Sequence, residues 1–305
     1  MRIVLIGQAA FGQKVLEALL NRGEQVAAVY MPPDKPGSKI DPLKESAQQH
    51  GIPVFQPQRM RDPGVYEKFV ELTPDLGIMA FVTDIVPESI LNRPRLGTIQ
   101  YHPSLLPKHR GRSSINWAII NGDTRTGITI LWPDAGIDTG PILLQKEVEI
   151  SPTDTVGSLY YDKLFPLGVE AIMESIDLIH KGRAPRVPQD ESQATYERPC
   201  REKDAVIDWA QPILKVYNLI RGTNPQPGAT TSLRAQNLKI FDCELIAQNV
   251  PAAPGEIIKS SDKGIAVAGQ AGWLLIKRVQ PQGQPKVSAS EYALKVDLKA
   301  GERLS

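Results

Sequence analysis

The chain has 305 residues, 41% hydrophobic and 23% charged, with 35 Lys and Arg against 34 Asp and Glu. That length supports a full core and two domains, and the composition is that of a soluble globular protein. The balanced charge removes one electrostatic argument for a nucleic-acid partner. No apolar run reaches the roughly 18 residues of a membrane span. Met1-Arg2-Ile3-Val4-Leu5-Ile6-Gly7 is too short and too soon interrupted to read as a secretory leader, and suits a first strand instead. The two cysteines, Cys200 and Cys243, lack metal spacing and are expected to be free thiols in a reducing cytoplasm; no metal site is expected.

The first half alternates strand and helix signals, the pattern of a doubly wound, mostly parallel sheet. Arg2 to Ile6 reads as a buried strand. Phe11 to Asn21 reads as a helix, with Phe11, Val15, Ala18 and Leu19 at helical spacing and Gly23 as its stop. Gln25 to Met31 is a strand, Pro32 to Ser38 a loop, Pro42 to His50 a short helix and Ile52 to Phe55 a short strand. Tyr66 to Glu71 (helix), Leu76 to Phe81 (strand) and Pro87 to Leu91 (helical turn) follow. A strand over Gly97 to Tyr101 delivers His102. A helix over Ser114 to Asn121 precedes the strand Gly127 to Trp132, and Ile142 to Ile150 is a further strand. Thr155 to Gly182 is mostly helical, broken or kinked at Pro166. Arg183 to Lys203, with Pro185, Pro188 and Pro199, reads as a surface linker. Beyond it, a helix over Pro212 to Arg221 leads into short β-like runs at Leu238 to Leu245, Gly255 to Lys259, Gly264 to Ala268 and Trp273 to Val279, which suggest a small β-barrel. The expected organisation is a first domain over 1–182, a linker over 183–204 and a second domain over 205–305.

Two stretches carry candidate chemistry. In Gln100-Tyr101-His102-Pro103-Ser104-Leu105-Leu106-Pro107 a strand ends on a histidine followed by a proline that cannot extend it. In Gly136-Ile137-Asp138-Thr139-Gly140 a turn-rich loop after a second strand carries an aspartate. Strand ends of this kind line the ligand crevice of open α/β sheets, where a His and an Asp form a general-base pair. Singly, His102 reads as a buried structural histidine and Asp138 as a turn residue; together they point to a site. Lys108 and Arg110 are either a solvated patch or receivers of an anionic group. Gly7-Gln8-Ala9-Ala10-Phe11-Gly12 approximates a dinucleotide fingerprint. It has Ala9 at the middle glycine, though, and Tyr30-Met31-Pro32 where a ribose carboxylate belongs, so a tight strand–helix turn is favoured over nicotinamide-cofactor chemistry.

These stretches resemble the folate-dependent formyltransferase and hydrolase superfamily, and most nearly the N-terminal hydrolase domain of 10-formyltetrahydrofolate dehydrogenase; they are also similar to methionyl-tRNA formyltransferase. The resemblance runs through Ile6-Gly7-Gln8, Phe11-Gly12-Gln13, Pro33-Asp34-Lys35 and Tyr101 to Pro107 with Arg110-Gly111. It continues through Ile115-Asn116-Trp117, Gly136 to Gly140, Ala194-Thr195-Tyr196, Ile207-Asp208-Trp209 and Ile220-Arg221-Gly222. It implies a Rossmann-like formyl-transfer domain followed by a barrel of the oligonucleotide-binding type. It also implies 10-formyltetrahydrofolate as donor, tetrahydrofolate as product, and an Asn, His and Asp trio. His102 and Asp138 match; the asparagine position is Gln100, whose extra methylene moves the amide by about 1.5 Å. The implied roles are oxyanion stabilisation or proton relay for His102, proton acceptance or imidazole orientation for Asp138, and oxyanion donation for Gln100. Phe81, Val82, Ile85, Asp134, Ala135 and Gly136 are implied for the pterin slot, and Arg110 for cofactor contact.

The resemblance implies a cytoplasmic folate enzyme with water or a small amine as formyl acceptor. A methionyl-tRNA formyltransferase is the alternative. The loop over 31–49 is neutral, however, where that family carries a basic insertion, and the stretch 205–305 has only twelve basic against eight acidic residues, a weak RNA surface. A non-catalytic folate-binding protein is a further alternative that Gln100 permits. The carrier and aldehyde dehydrogenase domains of the larger dehydrogenases have no counterpart in this sequence, so no hydride chemistry is expected of it.

Overall fold

The computed structural model describes residues 1–305. The strands in chain order are β1 (Arg2–Gly7), β2 (Gln25–Tyr30), β3 (Val54–Phe55), β4 (Leu76–Ala80), β5 (Thr98–His102), β6 (Arg110–Gly111), β7 (Arg125–Leu131), β8 (Ile142–Glu149) and β9 (Tyr196–Glu197). They are followed by β10 (Ala229–Leu233), β11 (Gln236–Ile246), β12 (Ile257–Ser261), β13 (Gly264–Gly269), β14 (Gly272–Pro281) and β15 (Val287–Ser288). The chain divides into two compact units. One comprises 1–111, 127–148 and 162–196, the other 112–126, 149–161 and 197–305. The boundaries expected at 182 and 205 are thus crossed in both directions. The helix Ser114–Asn121 belongs with the second unit because it packs on the helix Ile213–Gly222, with Asn116 Nδ2 donating to the Gly222 carbonyl at 2.9 Å.

The first unit is built on a seven-stranded sheet of order β3-β2-β1-β4-β5-β7-β8. The first five strands are parallel. β1 and β4, buried throughout apart from Arg2, read as near-continuous apolar runs because helices cover both faces of such a sheet. Packing at the centre is close: a Cβ on Gly7 would lie 2.3 Å from the Ala80 carbonyl oxygen. The turn after β1 is closed by the protein itself. The Ala9 N–H, in a residue with φ 59°, donates to both Asp41 oxygens at 3.0 and 2.9 Å, and Asp41 also caps the helix Pro42–Gln49 through Leu43 N at 2.8 Å. A carboxylate therefore sits where a dinucleotide fold would seat a pyrophosphate.

β7 departs from expectation. It runs antiparallel to β5, with Gln100 opposite Leu131 and His102 opposite Thr129. Its carboxyl end consequently points away from that of β5. Asp138 does not arrive from a neighbouring parallel strand end; it rides the long loop of a β7–β8 hairpin whose base is closed by Trp132 N–H donating to the Pro141 carbonyl at 2.9 Å. The helical stretch after β8 is interrupted as Pro166 dictates. A π-helical segment, Leu159–Leu164, precedes the helix Phe165–His180, and Pro166 falls in that helix's first turn, where no N–H is missed.

The second unit carries an antiparallel sheet of order β10-β11-β14-β13-β12, with β15 on β14. It is barrel-like without closing. Instead, residues 302–305 cover both of its edges: Ser232 and Ser305 exchange backbone bonds on the β10 side, and Ile257 N–H donates to the Glu302 carbonyl on the β12 side. Exposed edges are thereby paired rather than left as templates for association. The core holds Trp209, Ile213, Ile220, Ile240, Val267, Leu274 and Ile276.

Candidate active site

Alternation along β5 puts Gln100 and His102 on one face of the sheet. Tyr101, on the other, packs its ring on Phe11 at 4.3 Å. The His102 Nε2 lies 2.8 Å from the His109 carbonyl oxygen. A carbonyl only accepts, so Nε2 carries a proton and the tautomer is set by the turn that follows the strand. That turn is tied by Ser104 Oγ donating to the Lys108 carbonyl at 2.7 Å, and it holds His109 in a left-handed conformation with φ 57°. The other ring nitrogen, Nδ1, faces Asp138 Oδ2 at 3.4 Å. This is ion-pair range and longer than a good hydrogen bond, a separation of the kind that tightens when a substrate is bound. His102 and Asp138 are 5% and 8% exposed.

Asp138 is itself left-handed, with φ 57°, a conformation a short polar side chain tolerates better than most. Its carboxylate is clasped from two sides. Gln100 Nε2 donates to Oδ1 at 2.6 Å, and the Gly111 backbone N–H donates to Oδ2 at 2.8 Å. Its backbone carbonyl accepts from Gln189 Nε2 at 2.8 Å. The loop leading to it is shaped by Asp134, whose Oδ1 accepts from Gly136 N–H at 3.0 Å and from Thr139 Oγ1 at 2.5 Å. A Cβ on Gly136 would fall 2.0 Å from Thr139 Oγ1, so any other residue there would displace the Thr139 side chain from Asp134. The structure thus brings Gln100, His102 and Asp138 into one cluster. Asp134 and Gly136 support the same loop, and Ala135 lies exposed between them.

Of the other expected site residues, Phe81 and Ile85 follow β4. Met79 of β4 is in register with Gln100 of β5, so the two strands leave the sheet at the same level. Phe81, in a left-handed conformation with φ 62°, is 47% exposed and Ile85 is 71% exposed; both present apolar surface at that edge. Val82 is partly buried against the core beneath. Arg110 departs from its expected role. It is 0% exposed, and its five N–H groups are all engaged internally. Nε and Nη2 donate to Gln189 Oε1 at 3.1 and 2.8 Å, Nη1 and Nη2 donate to the two Glu191 oxygens at 2.9 and 2.6 Å, and Nη1 donates to Tyr196 Oη at 2.8 Å. None is left to receive an anionic ligand. Glu191 is correspondingly held below the ordinary carboxylate range by the Arg110 guanidinium.

Two contributors escaped the sequence reading. Gly111 acts through its backbone N–H, which leaves no side-chain signal. Gln189 lies in the polar, proline-rich stretch that reads as a linker. No group of three or more His, Cys, Asp and Glu residues is placed to hold a metal ion. A cavity of about 630 Å³ lies within the second unit, lined by Asn116, Cys200, Phe241, Gln280 and the two lysines Lys239 and Lys286 among others; neither His102 nor Asp138 lines it.

A mostly parallel sheet followed by an antiparallel, barrel-like unit, with a His–Asp pair at the carboxyl end of an interior strand, defines a formyltransferase-type fold. The formyl transferase family model matches residues 1–176, and the model of the formyl transferase C-terminal domain matches 200–296. The chain belongs to the formyl transferase family. It is 39% identical over 305 residues to the mouse mitochondrial 10-formyltetrahydrofolate dehydrogenase, covering 96% of this chain and 33% of that one. It is 38% identical over 295 residues to the methionyl-tRNA formyltransferase of Syntrophus aciditrophicus (strain SB), covering 95% and 94%. The chain therefore spans about a third of the dehydrogenases it matches. Among solved structures, its fold is shared with HypX from Aquifex aeolicus in complex with tetrahydrofolic acid (TM-score 0.71, 18% identity, 99% of this chain and 48% of that one). It is shared also with the N-formyltransferase from Helicobacter canadensis in complex with folinic acid and dTDP-3-aminofucose (TM-score 0.69, 19% identity, 92% and 99%). No helix is long and apolar enough to cross a membrane.

Proposed function

We propose that the chain is a 10-formyltetrahydrofolate-dependent enzyme that passes the formyl group to water or a small amine. The observation that carries this reading is the Asp138 carboxylate, clasped by Gln100 and the Gly111 N–H and faced by His102 Nδ1, in a chain of the formyl transferase family. The donor set suits such a substrate: an acceptor carboxylate and a tautomer-fixed imidazole beside open apolar surface at Phe81 and Ile85. Those two residues, with Val82 and the loop over 134–136, would hold the pterin. When bound, the cofactor supplies an activated formyl carbonyl on nitrogen.

Asp138 takes the proton of the attacking water or amine as its oxygen or nitrogen bonds to the formyl carbon. Asp138 passes that proton across to His102 Nδ1, and His102 gives it to the departing folate nitrogen as the old C–N bond breaks, so the proton count closes and both side chains end as they began. Nε2 is committed to the His109 carbonyl, which makes Nδ1 the atom through which the imidazole passes that proton. Loss of a proton-transfer group costs about 10²–10⁴ in rate. His102→Ala and Asp138→Ala are each expected to abolish turnover in protein that still unfolds cooperatively near the wild-type temperature; substantial turnover in either variant would reject the assignment.

The acceptor is found by supplying 10-formyltetrahydrofolate with water alone, with Met-tRNA, or with a panel of amino-sugars and small amines, and following tetrahydrofolate release. Release without an acceptor is the expected result for the hydrolase reading. Acceleration by Met-tRNA alone would select the methionyl-tRNA formyltransferase reading, which is favoured by the near-complete mutual coverage with that relative. It is disfavoured by the loop after β2, where Lys44 pairs with Asp34 and leaves no basic surplus. Tight tetrahydrofolate binding without turnover would select a binding protein.

A further inference from the structure

The segment 189–196 binds back onto the candidate site. Arg110 is the largest fully buried side chain of the protein, and its position decides the orientation of Gln189. Because Gln189 Oε1 accepts two guanidinium N–H groups, the amide cannot flip, and both hydrogens of Nε2 point the other way. They meet the backbone carbonyls of Asp138 at 2.8 Å and of Gly140 at 2.7 Å. One side chain thereby pins the carbonyls of the two residues that flank Thr139, one of which, Asp138, is held at φ 57°. Arg110 also reaches Asp138 by a second route: the next residue in the chain, Gly111, gives its N–H to the carboxylate. Glu191 and Tyr196 occupy the remaining guanidinium donors, and the Tyr196 ring lies under the guanidinium at 5.3 Å.

A planar fork of five donors is what this arrangement uses; a lysine ammonium offers a point charge with three. Through Gln189 it holds the loop that carries the left-handed Asp138. We infer that Gln189, its amide fixed by Arg110, is a positioning residue that sets the backbone of Asp138 and so the direction of its carboxylate toward His102. The proline-rich segment is a strap completing the site rather than a passive connection.

This rests on the reading of Asp138 as the proton acceptor, and the test separates the two. Gln189→Glu is isosteric. One carboxylate oxygen keeps the bond to Arg110, while the other can only repel the two carbonyls it replaces a donor to. A 1 Å misplacement of a reacting group costs about 10²-fold, so kcat for tetrahydrofolate release is expected to fall about 10- to 100-fold with KM within about twofold. Arg110→Lys should give a loss of the same kind. The second readout is independent of turnover: the ¹⁵N resonance of His102 Nδ1 at fixed pH, assignable in a chain with four histidines. It should move in Gln189→Glu toward its position in Asp138→Asn. An unmoved resonance in well-folded Gln189→Glu overturns the inference whatever the kinetics. A moved resonance together with full activity in Asp138→Asn would uphold the relay and sink the catalytic reading instead. Should Gln189→Glu fold poorly, Gln189→Met, which keeps length and loses both donors, carries the same two measurements.

Discussion

The glutamine at position 100 is the place where this chain tests its own chemistry. The Gln100 amide gives one N–H to Asp138 Oδ1 at 2.6 Å. Asparagine in its place is shorter by one methylene, about 1.5 Å, so the same amide would stand about 4 Å from Oδ1, beyond hydrogen-bond reach. Leucine would remove the amide altogether. A hydrogen bond to a charged group contributes about 1.5–3 kcal/mol, which as barrier corresponds to roughly 10- to 150-fold in kcat. If Gln100 acts by holding Asp138, Gln100→Asn and Gln100→Leu should therefore fall together by about that factor. If the amide instead served only as a donor to charge developing on the formyl oxygen, Gln100→Leu alone should lose about 10²–10³. The assay is single-turnover release of tetrahydrofolate, with thermal unfolding as a check that each variant is folded. Gln100→Glu is a sharper perturbation still. Two carboxylates at that separation cannot both ionise, so Gln100→Glu should be inactive wherever the wild type is active at neutral pH. Activity of Gln100→Asn at or above the wild-type level would refute the argument, because it would mean that the glutamine obstructs rather than supports.

Other features make separate predictions. The Glu302 carboxyl is held down from its ordinary 4.5 to about 2, first by the Arg234 side chain and then by the Lys299 N–H. Its folded value is depressed, so its contribution is fully present above about pH 4.5 and is lost as pH falls toward 2; the decline of the urea midpoint over that window should be shallower in Glu302→Gln, and equal slopes would count against the pairing. Burial pushes the Cys200 thiol up to about 11, with Asp204 adding to it, and pushes Cys243 higher still. At pH 8 Cys200 should react with a thiol reagent on the order of 10²-fold more slowly than in the denatured chain, and Cys243 more slowly still; rapid labelling of the native protein would contradict this. Gly7→Ala forces a Cβ to within 2.3 Å of the Ala80 carbonyl oxygen, and it should destabilise the protein by about 1–3 kcal/mol in denaturant titrations.

Much of the fold is written locally. The parallel strands are legible because a sheet covered on both faces needs continuous apolar runs, as in Leu5-Ile6 and Ile78-Met79-Ala80. The irregularity in the long helix is legible because Pro166 lacks the N–H that an uninterrupted helix would use. The His–Asp pairing is legible only in part: His102 ends β5, whereas Asp138 lies within the β7–β8 loop and is marked by its glycine-flanked turn. The direction of β7 is not: Gly127-Ile128-Thr129-Ile130-Leu131 reads the same parallel or antiparallel, and only its pairing with β5 decides. β10 is not legible either, because Ala229-Thr230-Thr231-Ser232-Leu233 alternates buried and half-buried on small polar residues and gives little apolar signal. The helix Ala289–Lys295 is marked in the sequence by the Ser288-x-x-Glu291 capping box, in which each side chain bonds the other's backbone N–H.

The least legible part of the site is also the part that holds it together, for a physical reason. Catalytic groups announce themselves by type, since few side chains move protons near neutral pH. The groups that aim them are chosen for reach and donor count, and those properties are common. Gly111 contributes an N–H that nearly any residue possesses, and Gln189 contributes an amide from a stretch whose composition reads as a connector. A buried arginine is the exception. Desolvating a guanidinium is costly unless every donor is matched, so Arg110 can lie inside the protein only if a specific set of acceptors has been built around it. Those acceptors, Gln189, Glu191 and Tyr196, come from a single short segment. Burying Arg110 therefore adds a side-chain tie between residues 189–196 and the site, beside the backbone pairing of β6 with β9. A change that unties them should be felt in the direction of one carboxylate as well as in the stability of the fold.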